Sequence, residues 1–505
     1  MTEQTLKKIT IVGGGSAGWM TAIHLNKVFN HSKKTFDITV IESPDIGIIG
    51  VGEATVHSVR FFFAALGLDE NELLRETNAS LKTGIMFRNW MKPVDGKTHE
   101  YFHPFEHQPL GRELDISSNW FLTERFEQER YDEGVCLSSA LIKAGHGPKG
   151  PGSRQYQGVV PYGYHIDAVL LARFLRRKSV EAGVTHIEAT IKDVRVEGEN
   201  IKSVHTEDAA FEADMFIDCT GFRGMLIDKL KAENWDSFSE ALPCNKAVAM
   251  QREFDEGEGP DPYTTATALS NGWAWQIGLL NRQGTGYVYD GNRMSSDEAE
   301  AELRKFVGIT DDNLIKSNHL NMKIGCRKEF WVGNCIATGL AGGFIEPLES
   351  TGLHLINLAA GLMSTHLASD NPPQGVKDSF NRLMNGFYQD LKQFIVLHYC
   401  LSDRDDSDFW RGAQATVEHC EWLKNQLEIW KYKICEYQDL AGAFSTVFTD
   451  ENYRFILYGM QHYPKLQMNL DKGTSQAMYE TLAKMSENAV RNTLPHSNYL
   501  KQLNL

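Results

Sequence analysis

Residues 11–19 read IVGGGSAGW, and this stretch decides the fold of the amino-terminal part of the chain. The surrounding pattern predicts a strand over Lys8 to Val12, a glycine turn, a helix from about Ala17 to Phe29 and a strand over Asp37 to Glu42. The glycines at 13, 15 and 18 form GxGxxG between strand and helix, where the backbone can approach a pyrophosphate at the helix amino terminus. The stretch therefore predicts a βαβ unit that binds a dinucleotide.

Glu42, at the end of the predicted second strand, supports the prediction of a dinucleotide site. A carboxylate at this point can accept hydrogen bonds from ribose hydroxyls. A tight turn without a ligand is the alternative interpretation of the glycines, and the turn itself does not distinguish FAD from NAD.

Two further glycine-rich stretches favour FAD. Residues 50–55 read GVGEAT, and residues 333–343 read GNCIATGLAGG, a strand and turn of the kind that closes over the flavin end of a dinucleotide. No second GxGxxG follows a convincing strand, so a separate NAD(P)H domain is not expected. The predicted cofactor-binding residues are Gly13, Gly15, Ser16, Ala17, Gly18, Glu42, Gly52, Glu53, Ala54, Thr55, Gly339 and Gly343.

Beyond this unit, the apolar spacing divides the chain in two. Helix and strand patterns mix up to about residue 350, including a predicted helix within 164–187 that ends at Gly183, whereas the spacing from Leu353 onward is helical. We predict an α/β (α+β) fold: a Rossmann-like FAD-binding domain with added sheet over 1–352, and a mainly helical region over 353–505. The stretches 148–155 and 253–261 are predicted to be exposed loops.

Composition limits the class of protein. The chain has 505 residues, 42% of them hydrophobic, and a formal charge of −15, which argues against a nucleic-acid partner. Its eight cysteines show no CxxC spacing, so neither a metal site nor a disulfide framework is expected. We find no secretory signal segment and no apolar run long enough to span a bilayer, and therefore expect a cytoplasmic enzyme that does not bind membranes.

At this point the sequence resembles the flavin-dependent tryptophan halogenase family. The stretches that carry the resemblance run in order from residue 13 to residue 410: GGGSAGW, IGVGEATVHSV, SLKTGIMFRNW, YHIDAVLLARFL, FIDCTGFRGML, NGWAWQIGL, FIEPLESTGLHL and LHYCLSDRDDSDFW. The resemblance implies that reduced FAD, supplied by a separate flavin reductase, reacts with oxygen and a halide ion to give hypohalous acid. This oxidant then halogenates a small aromatic substrate elsewhere in the protein. The resemblance further implies that the FAD-binding domain is of aromatic-hydroxylase type and that the helical region 353–505 binds the substrate.

The resemblance also implies two catalytic residues. Lys82, in SLKTGIMFRNW, matches the family's essential lysine, whose ammonium can hydrogen-bond hypohalous acid or become an N-halo amine. Its alternative is a solvated surface lysine. Glu349, in EPLESTG, matches the glutamate that stabilises the cationic ring intermediate and takes the ring proton. Glu346 is the alternative, but Glu349 directly precedes Ser-Thr-Gly, as the family motif requires.

Other matches concern the halide and the passage. Thr351 and Gly352 match positions whose backbone amides hold the halide, although a simple helix cap fits the local sequence equally well. Trp273 and Trp275, with Ile277, are expected on one face of a strand near the passage from flavin to substrate, with a buried aromatic stripe as the alternative. The family reads GWxWxIP here, and Gly278 replaces the proline, which removes a fixed φ and restores an amide donor.

The substrate side is less determined. Tyr453 falls near the position where tryptophan-specific members carry an indole-stacking tryptophan, which makes free tryptophan uncertain as the substrate. Phe448, Phe455 and Tyr458 are expected either to line an aromatic pocket or to belong to the core. We therefore predict an electron-rich aromatic substrate of indole or phenol type. The sequence leaves open whether this is a free molecule or tethered to a carrier, and whether the chain forms a homo-oligomer.

The halide is open between chloride, bromide and iodide, with bromide expected to be accepted at least as well as chloride because it is easier to oxidise. Two other functions remain as hypotheses at this stage. A FAD-dependent aromatic monooxygenase would share the nucleotide fold, and a non-catalytic FAD-binding protein would share the cofactor. Lys82 and the two tryptophans argue against the first, and Lys82 with Glu349 against the second.

Overall fold

The computed structural model describes residues 7–47, 52–110, 116–255, 257–309, 315–369, 372–467 and 472–503. The strands are β1 Lys7–Val12, β2 Phe36–Glu42, β3 Gly52–Ala54, β4 Ser80–Lys82, β5 Gly84–Arg88, β6 Glu100–Pro104, β7 Gly163–Asp167, β8 Thr185–Glu188, β9 Asp193–Glu197, β10 Asn200–His205, β11 Ala210–Glu212, β12 Met215–Asp218, β13 Trp235–Ser237, β14 Lys246–Arg252, β15 Thr264–Leu269, β16 Gly272–Gly278, β17 Gln283–Tyr289, β18 Asn318–Asn321, β19 Gly325–Arg327, β20 Trp331–Val332, β21 Cys335–Ala337 and β22 Gly343–Phe344.

The helices are α1 Ser16–Phe29, α2 Ser58–Leu66, α3 Glu70–Glu76, α4 Ile116–Leu122, α5 Tyr131–Val135, α6 Ser138–Lys143, α7 Ala168–Glu181, α8 Ile227–Leu230, α9 Ser296–Phe306, α10 Gly352–His366, α11 Gln374–Cys400, α12 Asp408–Ala413, α13 Glu421–Ile429, α14 Tyr437–Leu440, α15 Asp450–Gly459, α16 Lys472–Arg491 and α17 His496–Leu503.

A six-stranded sheet carries the nucleotide loop, in the order β20-β21-β12-β1-β2-β8. β1 pairs in parallel with both β2 and β12. Its apolar side chains, including Ile9 and Ile11, are fully buried, as expected for a parallel strand covered on both faces. Helix α1 packs against α7 and α10. The predicted βαβ unit is therefore confirmed, with ends within one residue of the predicted ones.

A seven-stranded sheet, in the order β18-β14-β17-β16-β15-β5-β6, carries the tryptophan segment on β16. A small sheet, in the order β3-β7-β4, brings Glu53 and Lys82 to either side of the same central strand. From α10 onward, the described chain is helical, as the apolar spacing predicts. One hydrophobic core includes residues from both parts, such as Trp19 and Phe394, and the division at residue 352 stays a prediction.

Two local predictions are wrong in part. The helix predicted within 164–187 begins only at Ala168, because the Asp167 side chain accepts from the amides of Val169 and Leu170 and so caps it, while 163–167 form β7. The predicted loop 148–155 is not exposed throughout, since Lys149 is buried and donates to Glu70 Oε2 at 2.6 Å.

The described part of the predicted loop 253–261 is mostly exposed, as expected. Glu256 in that loop, and Gly50 and Val51 in GVGEAT, lie outside the described residues. Helices long and apolar enough to cross a membrane are absent from the described ranges.

Candidate active site

The glycine turn between β1 and α1 is shaped by close backbone approaches. Gly13 has φ +117°, and a Cβ there would lie 2.2 Å from the Cys219 carbonyl oxygen. A Cβ on Gly18 would lie 1.9 Å from the Gly13 carbonyl oxygen. The N-cap of α1 is Gly15, which has no side chain that could cap the helix. The first amides of the helix can therefore receive an anion. The turn therefore fits a pyrophosphate group.

Glu42 lies beside this turn at the end of β2. A Cβ on Gly14 would lie 1.6 Å from Glu42 Oε2, so the middle glycine of GGG is required for the carboxylate to reach this place. Glu42 accepts hydrogen bonds from Trp19 Nε1 at 3.2 Å and Arg176 Nη1 at 2.8 Å, which fix its orientation. Gly14 was not among the predicted residues, although its position inside the glycine run was a usable signal.

The turn opens on a cavity of about 540 Å³, a volume in the range of cofactor sites. The expected residues that line it are Gly13, Gly15, Ser16, Ala17, Glu42, Gly52, Glu53, Ala54, Gly339, Gly343, Thr351, Gly352, Trp273 and Trp275. Gly18 and Thr55 lie behind this lining: Gly18 packs on Gly13, and the Thr55 hydroxyl accepts from the Tyr164 amide at 2.8 Å. Burial raises the pKa of Glu53 to about 7. Helix-start amides and an apolar aromatic wall together fit FAD.

The segment before α10 lies at this cavity. Ser350 has φ +60°, a left-handed conformation that a residue with a side chain rarely adopts. It turns the chain from the short 3₁₀ segment 347–349 into α10, where Thr351 is an N-cap without a side-chain hydrogen bond. Gly352 has open space where a Cβ would stand. The start of α10 is thus a second helix amino terminus that faces the cavity.

Lys82 lies directly behind Ser350. Its side chain is fully buried, its Nζ donates to Ser350 Oγ at 2.7 Å, and it stands 5.1 Å from the centre of the Phe105 ring. Burial lowers the pKa of Lys82 to about 7, against the opposing effect of the Glu349 charge. The alternative of a solvated surface lysine is excluded, because no part of the side chain reaches solvent.

Glu349 is held by two histidines. Its carboxylate contacts His103 Nδ1 at 2.9 Å and His398 Nε2 at 2.9 Å, and all three side chains are buried. Burial alone would raise the pKa of Glu349, but its contacts with His103 and His398 outweigh burial and lower the pKa to about 2. These contacts therefore favour the ionised carboxylate, which is the form that can accept a proton.

Glu346 has different partners. Its Oε2 accepts from Trp273 Nε1 at 2.8 Å and from the Tyr399 hydroxyl at 2.7 Å. Burial raises the pKa of Glu346 to about 7, and the two hydrogen bonds only partly offset this. Glu346 thus fixes a tryptophan of the cavity wall, whereas Glu349 contacts two histidines and its charge acts to raise the pKa of Lys82.

Trp273, Trp275 and Ile277 share one face of β16 and line the cavity, as the alternation predicts. A Cβ on Gly286 of the paired strand β17 would lie 2.1 Å from Trp275 Cη2, so the indole lies flat over this glycine. Gly278, the departure from the family motif, is matched elsewhere: a Cβ there would lie 2.6 Å from Pro260 Cβ. Pro260 packs where a side chain at 278 would stand.

The aromatic residues expected on the substrate side are buried. Phe448 stacks on Phe394 with centroids 4.0 Å apart, and Phe455 lies 6.1 Å from the His103 ring. Tyr453 is fully buried and packs against Phe394, Trp422 and Trp430. Tyr458 is buried against Phe121 and Tyr131. Phe448 and Phe455 lie beside His103, and the role of these rings as pocket residues stays a prediction.

Sequence reasoning missed Ser350, His103 and His398. Histidines embedded in aromatic runs, FHPF at 102–105 and LHY at 397–399, were the available signal. Groups of histidine, cysteine, aspartate or glutamate that could hold a metal ion are absent from the residues that the structure describes.

The chain matches the family model for tryptophan halogenase over residues 8–476. It is 35% identical over 457 residues to tryptophan 6-halogenase SttH of Streptomyces toxytricini, covering 86% of each chain. The structure superposes on that of a tryptophan halogenase from Shewanella frigidimarina NCIMB 400 with a TM-score of 0.92 and 30% identity, covering 100% of this chain and 98% of that one. It also superposes on Tar14, a tryptophan C-6 flavin-dependent halogenase from taromycin biosynthesis, with a TM-score of 0.90 and 33% identity over 99% and 100% of the two chains.

The glycine turn, the paired tryptophans, the buried lysine and the glutamate before Ser-Thr-Gly are thus found in a chain that is alike over its whole length to known halogenases. These likenesses do not favour a monooxygenase or a non-catalytic flavoprotein. The chain belongs to the tryptophan halogenase family and is a flavin-dependent halogenase of aromatic substrates.

Proposed function

We propose that the enzyme binds FAD in the 540 Å³ cavity and receives it in the reduced form from a separate flavin reductase. The glycine turn and the start of α1 would hold the pyrophosphate, and Glu42 the ribose. When bound, the reduced flavin supplies hypohalous acid from oxygen and a halide ion. We expect the enzyme to act in the cytoplasm, where such a reductase keeps reduced flavin available.

The halide site is proposed at the start of α10. Thr351, Gly352 and Leu353 line the cavity at the amino terminus of α10, where the partial positive charge of the helix favours an anion. Trp273 and Trp275 would form the cavity wall that keeps an organic substrate away from the flavin. Their fixed orientations, through Glu346 and Gly286, support this role.

The observation that carries the proposal is the contact between Ser350 and Lys82. Ser350 lines the cavity, and its Oγ accepts from Lys82 Nζ at 2.7 Å. Hypohalous acid that leaves the cavity along Ser350 would meet the lysine first. With a pKa of about 7, Lys82 can donate a hydrogen bond as an ammonium or react as an amine at neutral pH.

Glu349 is proposed as the group that stabilises the cationic ring and takes its proton. Glu349 directly precedes Ser350 in the chain, and Ser350 accepts a hydrogen bond from Lys82, which also feels the charge of Glu349. The proposed base and the proposed halogen donor therefore act at one place. The low pKa keeps Glu349 ionised at neutral pH, and only the ionised form can take the ring proton.

The proposed substrate is an electron-rich aromatic ring of indole or phenol type. The relatives in the comparison act on tryptophan by their names. In this chain Tyr453, near the position of their stacking residue, is packed into the core. Free tryptophan is therefore one member of the proposed class and not its definition.

A direct test supplies chemically reduced FAD, oxygen, bromide and indole to the purified protein, so that no reductase is needed. Bromoindole, detected by its mass, is the expected product, and an oxygenated product without bromine would instead support a monooxygenase. Lys82→Ala should lower bromination at least about 10²-fold while oxidation of reduced FAD continues.

Lys149 offers a matched control, because it is also a buried lysine and lies outside the cavity lining, bonded to Glu70. Lys149→Met should cost stability, yet the folded protein should still brominate indole. Equal loss of bromination in both lysine variants would contradict the role of Lys82.

A further inference from the structure

The hydrogen-bond network around Glu349 determines where its protons lie. Oε1 and Oε2 contact His103 Nδ1 at 3.0 and 2.9 Å, and Oε1 contacts His398 Nε2 at 2.9 Å. His103 Nε2 contacts Asn452 Nδ2 at 3.0 Å, and His398 Nδ1 contacts the Phe394 carbonyl oxygen at 2.9 Å. Each histidine thus uses both of its ring nitrogens.

His103 is the simpler case. The backbone amide of Thr449 donates to Asn452 Oδ1 at 2.9 Å, so the oxygen of this side-chain amide faces Thr449 and its NH₂ group faces His103. Because the NH₂ group donates, His103 Nε2 accepts and carries no hydrogen. His103 is therefore neutral and donates its single N–H, on Nδ1, to Glu349.

His398 differs, because its Nδ1 faces a backbone carbonyl, which can only accept. Nδ1 therefore carries a hydrogen. Its Nε2 faces Glu349 Oε1 at 2.9 Å, a distance that requires one proton between them. If Glu349 is ionised, that proton lies on Nε2 and His398 is an imidazolium.

Two further observations favour this ionised form. Both carboxylate oxygens of Glu349 lie within hydrogen-bond distance of the single N–H of His103, as suits a carboxylate. His398 stands in the last turn of the 27-residue helix α11, where the helix dipole stabilises a cation. The burial of Glu349 and His398 makes a matched pair necessary, since either charge alone would be unfavourable.

We propose, on the basis of the proposed function, that His398 is a positioning residue held as an imidazolium, whose charge keeps the buried Glu349 ionised and able to take the ring proton. His103 orients the same carboxylate as a neutral donor. The two histidines, alike in their contacts with Glu349, thus have different tasks.

The halogenation step conserves atoms and electrons as follows. A π-electron pair of the ring forms the carbon–halogen bond, the halogen–oxygen bond breaks, and its electron pair leaves with hydroxide. The Lys82 ammonium gives this hydroxide a proton, so that water departs. Glu349 takes the ring proton and the C–H electron pair restores the aromatic ring. Return of that proton from Glu349 to Lys82 restores both groups, while His398 keeps its proton throughout.

The titratable groups that face Glu349 are His103 and Tyr101 on β6, His398 on α11 and Lys82 on β4. Without the imidazolium charge, burial would raise the pKa of Glu349, and the base would be protonated over a wider range of pH. A neutral substitute for His398 should therefore move the acid side of the pH profile upward. The same change at His103 should not, because His103 is already neutral.

The test compares His398→Gln with His103→Asn, two changes from imidazole to an amide that can still donate to Glu349. Bromination of indole by chemically reduced FAD is measured from about pH 5 to about pH 9. If Glu349 then resembles Glu346, His398→Gln should lose about 10²-fold relative to the unsubstituted enzyme at about pH 5, and this relative loss should shrink as the pH rises and Glu349 ionises. His103→Asn should keep the pH profile of the unsubstituted enzyme. Equal profiles for both variants would overturn the inference.

Formation of hypohalous acid, measured with a small scavenger, distinguishes a failure of the proposed function from a failure of the inference about His398. If the unsubstituted enzyme neither forms hypohalous acid nor brominates indole, the proposed function fails. If it does both and His398→Gln retains its profile, only the inference about His398 fails.

A measurement on the unsubstituted protein guards against misfolding of a variant. With ¹⁵N-labelled histidine, the resonances of His398 should show hydrogen on both ring nitrogens, and those of His103 on Nδ1 alone. Glu349→Gln serves to assign the pair. A bare Nε2 on His398 would overturn the inference.

Discussion

Glu346, which contacts the tryptophan side of the site, and Glu349, which contacts the histidine side, are the same residue type with opposite shifts in pKa. Both glutamates are fully buried and only three residues apart, yet the pKa of Glu346 is about 7 and that of Glu349 is about 2. On the tryptophan side, the partners of Glu346 are neutral donors. On the histidine side, charge near Glu349 reverses the effect of burial. The environment, and not the residue type, separates a structural carboxyl from a base.

The largest effect that tests this contrast is expected for Glu349→Gln. The amide retains size and hydrogen bonding but cannot take the ring proton, so bromination of indole should fall by about 10²- to 10³-fold. Hypohalous acid formation, followed with a scavenger, should be nearly unaffected, because Glu349 is absent from the lining of the FAD cavity. Loss of both activities together would place Glu349 in flavin binding instead.

A smaller effect is expected for Gly286→Ala on the tryptophan side. The new methyl group would stand 2.1 Å from Trp275 Cη2 and must displace the indole, at a cost of about 1–3 kcal/mol in stability. The displaced wall should let more hypohalous acid escape to the scavenger for each bromoindole formed.

Gly284→Ala is the matched control for this change. It lies on the same strand two residues earlier, and the nearest atom to its added Cβ would be 3.7 Å away. Bromination and stability should stay close to those of the unsubstituted enzyme. If both alanine variants leaked equally, the position of Trp275 would not control the passage.

The parts of the site that lie within one motif could be predicted. Lys82 and Glu349 were identified from the residues around them, and the alternation in GWAWQIG placed Trp273 and Trp275 on one face. The βαβ unit followed from glycine spacing and apolar periodicity, which are local properties. Each of these features depends on neighbours in the sequence.

The contacts that give these residues their chemistry could not be predicted, because they join distant segments. His103 and His398 reach Glu349 from 246 and 49 residues away, and Lys82 meets Ser350 across 268 residues. Ser350 also has a positive φ, which cannot be predicted from the presence of a serine in the sequence. The composition around Lys149 predicts an exposed loop, and its burial could not be predicted for the same reason, since its partner Glu70 lies 79 residues earlier.

The smallest effect on turnover is expected for Glu346→Gln. The pKa of Glu346 should instead affect how the free energy of unfolding depends on pH. At a pKa of about 7, Glu346 is largely protonated in the folded protein up to neutral pH, while in the unfolded chain it ionises near 4.5. Between these values the folded state binds more protons, so stability falls as pH rises, by up to about 3 kcal/mol.

Glutamine cannot ionise and can still accept from Trp273 and Tyr399, so Glu346→Gln should remove most of this fall and change bromination by less than about threefold. Urea unfolding at about pH 5 and about pH 8 measures the difference. Glu349 has the opposite sign: its low pKa makes stability rise with pH from about 2 to 4.5, and Glu349→Gln should remove that rise. A Glu346→Gln protein with an unchanged slope above pH 4.5 would show that the two glutamates are not distinguished by charge.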